Sequence, residues 1–410
     1  MNETLLRQYA EFAVRVGVNP QPGQTLIISA PVEGAAFARM CAEAAYDAGA
    51  REVVMKYSDE RFARLRLERT DLATLEAVPA YEVRSYLDYA EREGGACILN
   101  ILAEDPEIFR GIDAEKINRA FAARRKALAG WRELTMKDRV QWSIVAIPSP
   151  AWAKKVFPGE ENAEEKLWKA IFDVCRVREG GDVVAAWREH VAKTAARRDK
   201  LNAWKLDRVR MRSANGTDLT VGLAEGAVWE GAKSLTPEGY EFIANIPTEE
   251  VFTAPDRLRV DGVVYATKPY VYNGDVIDGF WFRFENGLVT DFGAKQGEEL
   301  LRKMLETDEG AKRIGELALV PASSPINRSG LLFYNTLFDE NAACHIAFGD
   351  GYPGTVEGGA SLTPEELLAR GVNNSIIHED VMVGAADMTI TGYPKEGGEV
   401  AIFEHGEWAF

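Results

Sequence analysis

The sequence predicts two domains of different class. An α/β N-terminal domain, an open and mostly parallel sheet with flanking helices, takes residues 1–200 including a helical bridge. A β-rich α+β domain takes 201–410. Three observations predict this. Short, nearly all-apolar runs of strand length alternate with helical periodicity over the first 150 residues. Residues 150–200 are helical in pattern and rich in Ala, Lys, Glu and Trp. After about residue 200, strand signals with tight turns take over.

An amphipathic helix is expected over about 3–17, broken by Val18-Asn19-Pro20-Gln21-Pro22-Gly23. Thr25–Ala30 is a strand of the kind buried on both faces of a parallel sheet. Helical periodicity over 35–48 ends at Gly49, and Glu52–Tyr57 is the next strand, which completes a βαβ unit. Further along come a helix over 82–92, a strand over 96–101, a helix over 114–133 and a strand over 140–147. In the second half, Asn215-Gly216 and Asn286-Gly287 each separate two strand-like runs, as hairpin turns that tolerate positive φ would. One helix is expected over about 296–305.

Composition narrows the function. Of 410 residues, 48 are Lys or Arg and 64 Asp or Glu, a formal charge of −16. That balance disfavours nucleic acid and anionic membranes as partners, since both need basic surface. A local basic patch stays open to such a chain, for example around Arg124-Arg125-Lys126. No run approaches the ~18 apolar residues of a membrane span, and the N-terminus has no signal-peptide core. Cys41, Cys97, Cys175 and Cys344 are far apart and form no Cys-x-x-Cys pair, which fits free thiols in a cytoplasmic protein.

Four segments carry candidate chemistry. In Asn373–Gly384 a strand would put His378 and Asp380 on one face and Glu379 on the other. In Asn341–Pro353, His345 sits in a run of small apolar residues, where a hydrogen-bonded core histidine is the competing reading. In Asn245–Asp256, Glu249 and Glu250 are adjacent, so on an extended chain at most one readily enters a site. In Ile314–Val320, Glu316 stands alone among apolar residues, and such a carboxylate needs a partner, a cation or an edge position. Gly349-Asp350-Gly351-Tyr352-Pro353-Gly354 matches G-x-G-x-x-G, but Pro353 and the loop residues after it exclude the helix that a dinucleotide site needs. Three carboxylates and two imidazoles together suit two divalent ions about 3.5–4 Å apart.

These segments resemble the aminopeptidase T and aminopeptidase S family of metallo-aminopeptidases. The likeness is carried by Pro247-Thr248-Glu249-Glu250-Val251-Phe252-Thr253, Ser324–Gly330, Tyr334–Ala342 and the His378 segment. The resemblance implies a dinuclear metal site from Glu250, Glu316, His345, His378 and Asp380, with Glu316 as the bridge and Tyr352 beside the metals. The choice of Glu250 over Glu249 rests on the family pattern. The resemblance also implies two divalent ions, short peptides with a free N-terminus as substrates, and a homodimer; carboxylate and imidazole donors accept Zn, Co, Mn and, less well, Mg. The general base stays open among Glu249, Glu340 and Asp350. Arg328 is either a substrate contact or a structural ion pair. His190 is expected on a helical surface, and His405 at the end of the last strand. The competing functions are a metal-stabilised small-molecule binding protein and another two-metal amide or ester hydrolase.

Overall fold

The computed structural model describes residues 2–103, 105, 107–272 and 275–410. The chain forms two compact units. The first comprises Met1–Glu189 with Lys233–Pro247, and the second His190–Ala232 with Thr248–Phe410. The division falls inside the helix Val183–Trp204 rather than at residue 200, and 233–247 return to the first unit.

The first unit is built on a parallel sheet of Thr25–Pro31, Glu52–Ser58, Ala96–Leu102 and Trp142–Ala146. Glu52–Ser58 lies outermost, beside Thr25–Pro31, with Ala96–Leu102 and Trp142–Ala146 following. The apolar strand cores Leu26, Ile27, Ile28, Ile98 and Leu99 are buried, as a sheet covered on both faces requires. The segment after residue 232 belongs here because it satisfies the open sheet edge. Ile144 N–H donates to the Ala244 carbonyl, and Ile246 N–H donates to the Ile144 carbonyl.

Two helices differ from the sequence expectation. The first is α-helical over Glu3–Phe12 and widens to a π-turn over Ala13–Val18, closed by Asn19 at φ 47°. The expected 114–133 helix is two, Ala114–Ala127 and Ala129–Met136, because Leu128 leaves helical geometry. Among the described residues no helix is long and apolar enough to cross a membrane.

Among the described residues the second unit holds two large antiparallel sheets and a two-stranded one, Tyr270–Tyr272 with Asp275–Ile277. The larger, of eight strands, includes the hairpins Leu206–Arg212/Asp218–Leu223 and Trp281–Glu285/Leu288–Gly293. In the second hairpin both turn residues, Asn286 and Gly287, have positive φ, as a type I′ turn demands. In the first, only Gly216 does, and the Asn215 side chain accepts from Thr217 N–H instead. The smaller sheet runs His378–Met382, His345–Gly349, Ile314–Leu319, Val251–Thr253 and Glu230–Gly231. Its Leu317, Leu319, Ile346, Phe348, Val381 and Val383 share one core with Phe282 and Phe284 of the larger sheet. Phe282 and Phe348 lie 4.5 Å apart between ring centroids.

One acidic group of the first unit has a pH signature. Asp138, at φ 50° beside Trp142 and Ser234, is pushed up to about 6 by burial. The folded state therefore holds this proton more tightly than the unfolded chain does. The associated stability is fully present below about pH 4 and is lost as pH rises through about 6. Asp138→Asn keeps the shape and suits the left-handed backbone. It is expected to raise the melting temperature at pH 8 by about 2–4 °C, on the order of 1 kcal/mol, with no gain at pH 4. Calorimetry at the two pH values checks this.

Candidate metal centre

The smaller sheet of the second unit turns its large apolar side chains one way and its polar ones the other. Cross-strand partners share a face. The register pairs Glu316 with Ala347, Ala318 with His345, Ala347 with Asp380, and Gly349 with His378. Strand alternation then puts Glu316, His345, His378 and Asp380 on the face opposite Leu317, Ile346 and Val381. On the Val251–Thr253 strand Phe252 pairs with Ala318, so Glu250, two residues earlier, has the same parity. Ala318, Ala347 and Gly349 between these positions are small and leave room above the sheet.

Glu316 reaches this face through an irregularity in the ladder between Ile314 and Glu316. A side chain at Gly315 would meet the carbonyls of Gly349 and Asp350 at 2.4 and 2.3 Å, so only glycine allows the approach. Gly349 has φ 101° and lies against the Ile377 carbonyl, which brings the neighbouring strand end in close.

The five candidate ligands converge. Glu250, Glu316 and His345 form one group whose ligand atoms lie within 4.8 Å of one another, and Glu316, His378 and Asp380 form a second. Glu316 belongs to both. Its Oε1 is 3.5 Å from His345 Nε2 and its Oε2 is 3.7 Å from His378 Nε2. Glu250 Oε2 lies 3.2 Å from His345 Nε2, outside hydrogen-bonding geometry, and is buried without a hydrogen-bond partner. Asp380 Oδ1 lies 3.4 Å from His378 Nε2 and 3.9 Å from His345 Nε2.

Both imidazoles are oriented by backbone. His345 Nδ1 is 3.2 Å from the Ala343 carbonyl, and His378 Nδ1 is 2.8 Å from the Asp350 carbonyl. A carbonyl only accepts, so each Nδ1 carries the proton and donates it. Each Nε2 is left facing the carboxylates, where it can give up its proton in exchange for a cation, the arrangement of a metal-binding histidine.

Electrostatics agree with the donor set. Burial raises Glu316 and holds Glu340 well above the ordinary carboxylate range, with neighbouring acids adding to both shifts. Burial lowers His378, but Asp380 and Glu316 outweigh it and raise the group to about 10. Asp380 is lowered overall, because His378 and His345 outweigh its burial. So many acids in one buried place require positive charge. Without a cation only protons supply it, and an orphaned buried oxygen on Glu250 remains. A divalent cation fits this set.

Tyr352 stands at the rim. Its ring is 4.8 Å from that of His378 and 6.0 Å from that of Phe252. Burial, then the nearby Glu316 and Asp380, push its hydroxyl well above the ordinary value, so it stays protonated as a donor.

The three acids considered as general base separate here. The Glu249 N–H donates to Asn341 Oδ1, and its Oε2 is 3.8 Å from His190 Nε2, away from the ligand groups. Asp350 lends its carbonyl to His378 and its Oδ1 to Ser375 N–H. Glu340 is electrostatically close to Asp380, Glu250, His345 and Glu316. His190 is not on an exposed surface. Its side chain is 12% exposed, with Nε2 2.8 Å from the Thr248 carbonyl, just before the two glutamates. His405 lies in the turn between Val400–Glu404 and Glu407–Trp408, and Arg328 is exposed. After Gly349–Gly354 comes only a single tight turn over Pro353–Thr355, not a dinucleotide-binding helix.

Supporting residues with no chemical motif of their own were not legible in the sequence. Asn341 joins the Glu249 backbone to Glu340. Asp308 accepts from Ser375 Oγ and from Ile376 N–H, which ties down the segment leading to His378. Asn373 Nδ2 donates to the carbonyls of Gly310 and Gly349.

Known proteins resemble this chain over its whole length. Residues 2–408 match the family described as thermophilic metalloprotease, M29. Aminopeptidase 2 of Geobacillus stearothermophilus is 46% identical over 410 residues, covering 100% of this chain and 98% of that protein. Aminopeptidase T of Thermus aquaticus is 42% identical over 405 residues, with 98% of each chain covered. The solved structure of wild-type AmpT from Thermus thermophilus superposes with a TM-score of 0.91 at 40% identity, covering 100% of both chains. With a whole-length match and relatives above 40% identity, the chain belongs to the thermophilic metalloprotease family M29.

Proposed function

We propose that Glu250, Glu316 and His345 hold one divalent cation, that His378, Asp380 and Glu316 hold a second, and that Glu316 bridges them. The protein is a metal-dependent aminopeptidase, a hydrolase of peptide bonds. The observation that carries the two-cation reading is the shared Glu316, with one oxygen toward each imidazole. When bound, the cations supply a nucleophilic water near neutral pH and polarise the scissile carbonyl. Their positive charge also takes the place of the protons that the buried acids otherwise retain.

The chain's own residues do the rest. The Ala343 and Asp350 carbonyls fix the imidazole tautomers. The Tyr352 hydroxyl, kept protonated by burial, donates to the oxyanion that develops on the substrate carbonyl. Mixed imidazole and carboxylate donors favour Zn, Co or Mn over Mg. The substrates are short peptides with a free N-terminus. A cytoplasmic location is supported by four buried cysteines that form no disulfide among the described residues. The charge of −16 supports peptides over nucleic acid or anionic membrane as partners. A homodimer rests on the family resemblance and is checked by sedimentation. A non-hydrolytic binding protein is not favoured, because the family is one of metalloproteases.

Elemental analysis is expected to find two divalent ions per chain, and chelation to abolish leucyl-anilide hydrolysis, restored by adding metal back. Full activity in stripped protein would overturn the reading. His378→Ala is expected to lose at least one ion and nearly all rate. Tyr352→Phe is expected to keep both ions and KM while kcat falls roughly a hundredfold, the scale of one lost oxyanion donor. Steady-state kinetics with metal content measured on the same samples separates the two variants.

A further inference from the structure

We propose that Glu340 receives the α-ammonium group of the substrate and so determines the requirement for a free N-terminus. The proposal rests on the two-cation aminopeptidase reading above.

The first argument is charge. Two divalent cations bring four positive charges, and the ligand carboxylates Glu250, Glu316 and Asp380 bring three negative ones. The imidazoles are neutral. A centre built from these groups alone is cationic and repels an ammonium group. An α-amine has a pKa of about 8, so a peptide presents it mostly as ammonium at neutral pH. A fourth carboxylate brings the sum to zero and removes that repulsion, and Glu340 is that carboxylate. It belongs to neither ligand group, yet it lines one cavity with Asp380.

The second argument is space. Glu340, Asp380, Asp339, Thr336, Tyr270 and Met382 line a cavity of about 20 Å³. That is room for one water-sized group and too small for an amino-acid side chain. An ammonium group has this size.

The third argument is which oxygens are already engaged. Asp339 accepts from Phe333 N–H at 2.8 Å and Asn335 N–H at 3.1 Å, one on each oxygen, so it shapes its own loop. Asp380 is a proposed cation ligand. Glu340 accepts on Oε1 from Asn341 Nδ2 at 3.3 Å. The same Asn341 accepts from Glu249 N–H at 2.7 Å. One side chain thus holds Glu340 in register with the segment that carries Glu250. A recognition carboxylate needs this placement, at a set distance from the cations that act on the first peptide bond.

The test uses the metal-loaded enzyme, with leucyl-anilide and its N-acetyl derivative as probes. Glu340→Gln is expected to raise KM for the free-amine substrate about ten- to a hundredfold, the range for losing a hydrogen bond to a charged group. The expected kcat stays within about threefold. Preference for the free over the acetylated substrate should fall by the same factor as kcat/KM, with metal content and melting temperature as in wild type. Glu340→Asp should recover part of the KM. A second arm needs no variant. Wild-type KM is expected to rise as pH passes the α-amine pKa of about 8, and the Gln variant should lack this rise. A KM that falls as the amine deprotonates would place the neutral amine on a cation and overturn the proposal. So would a lower kcat at unchanged KM, a loss of metal, or an unchanged free-amine preference in Glu340→Gln. A wild type that cuts the acetylated probe as fast as the free one would instead overturn the aminopeptidase reading itself.

Discussion

The centre of the second unit depends on one electrostatic constraint. Glu250, Glu316, His345 and Asp380 are all buried, with His378 half-buried beside them. Burying one carboxylate without compensation costs several kcal/mol, and burying several together costs more through mutual repulsion. Such a cluster persists in a folded protein only where positive charge is drawn in to meet it. The site is therefore a store of unfavourable solvation that a cation relieves, and the rest of the unit is arranged to hold that store in place.

The sheet does so by giving its two faces opposite chemistry. One face carries Leu317, Leu319, Ile346, Phe348 and Val381 into a core shared with Phe282 and Phe284. Burial of side chains of this size contributes about 1.5–3 kcal/mol each, which anchors the strands against the strain of the polar face. The other face has Ala318, Ala347 and Gly349 where bulk would fill the space that ligands and substrate need. A one-residue slip in register would exchange the faces, so the core that stabilises the sheet also fixes where the candidate ligands point.

Around the candidate ligands, ordinary polar groups set the orientation. The Ala343 and Asp350 carbonyls choose the tautomer of each imidazole, and Asp308 with Ser375 and Asn373 anchors the segment that delivers His378. Asn341 ties Glu340 to the backbone before Glu250. Except for those of Ala343 with His345 and of Asn341 with Glu340, which are local, these contacts join residues 28 to 92 apart. None is a sequence motif, because a hydrogen bond between distant residues leaves no local periodicity to detect. His190 shows the converse. Its helix looks exposed by pattern, yet the ring is seated on the Thr248 carbonyl. The difference comes from what packs against the helix, which the local pattern does not contain.

The sequence by itself determined the fold class, because strand alternation, helical periodicity and Asn-Gly turns are local consequences of backbone geometry. It also determined which side chains were chemically expensive. An acid such as Glu316 in an apolar strand, or a histidine such as His345 among small residues, is costly wherever the chain goes. Only the tertiary structure decided that these costs cancel in one place, with Glu316 shared between two groups and Glu250 rather than Glu249 turned toward His345. It also decided that 233–247 close the edge of the first sheet, and that of three undecided acids Glu340 is the one beside the ligands. The physical reason is range. Propensity acts over a few residues, whereas a charge cluster is assembled by register and packing between strands far apart in the chain.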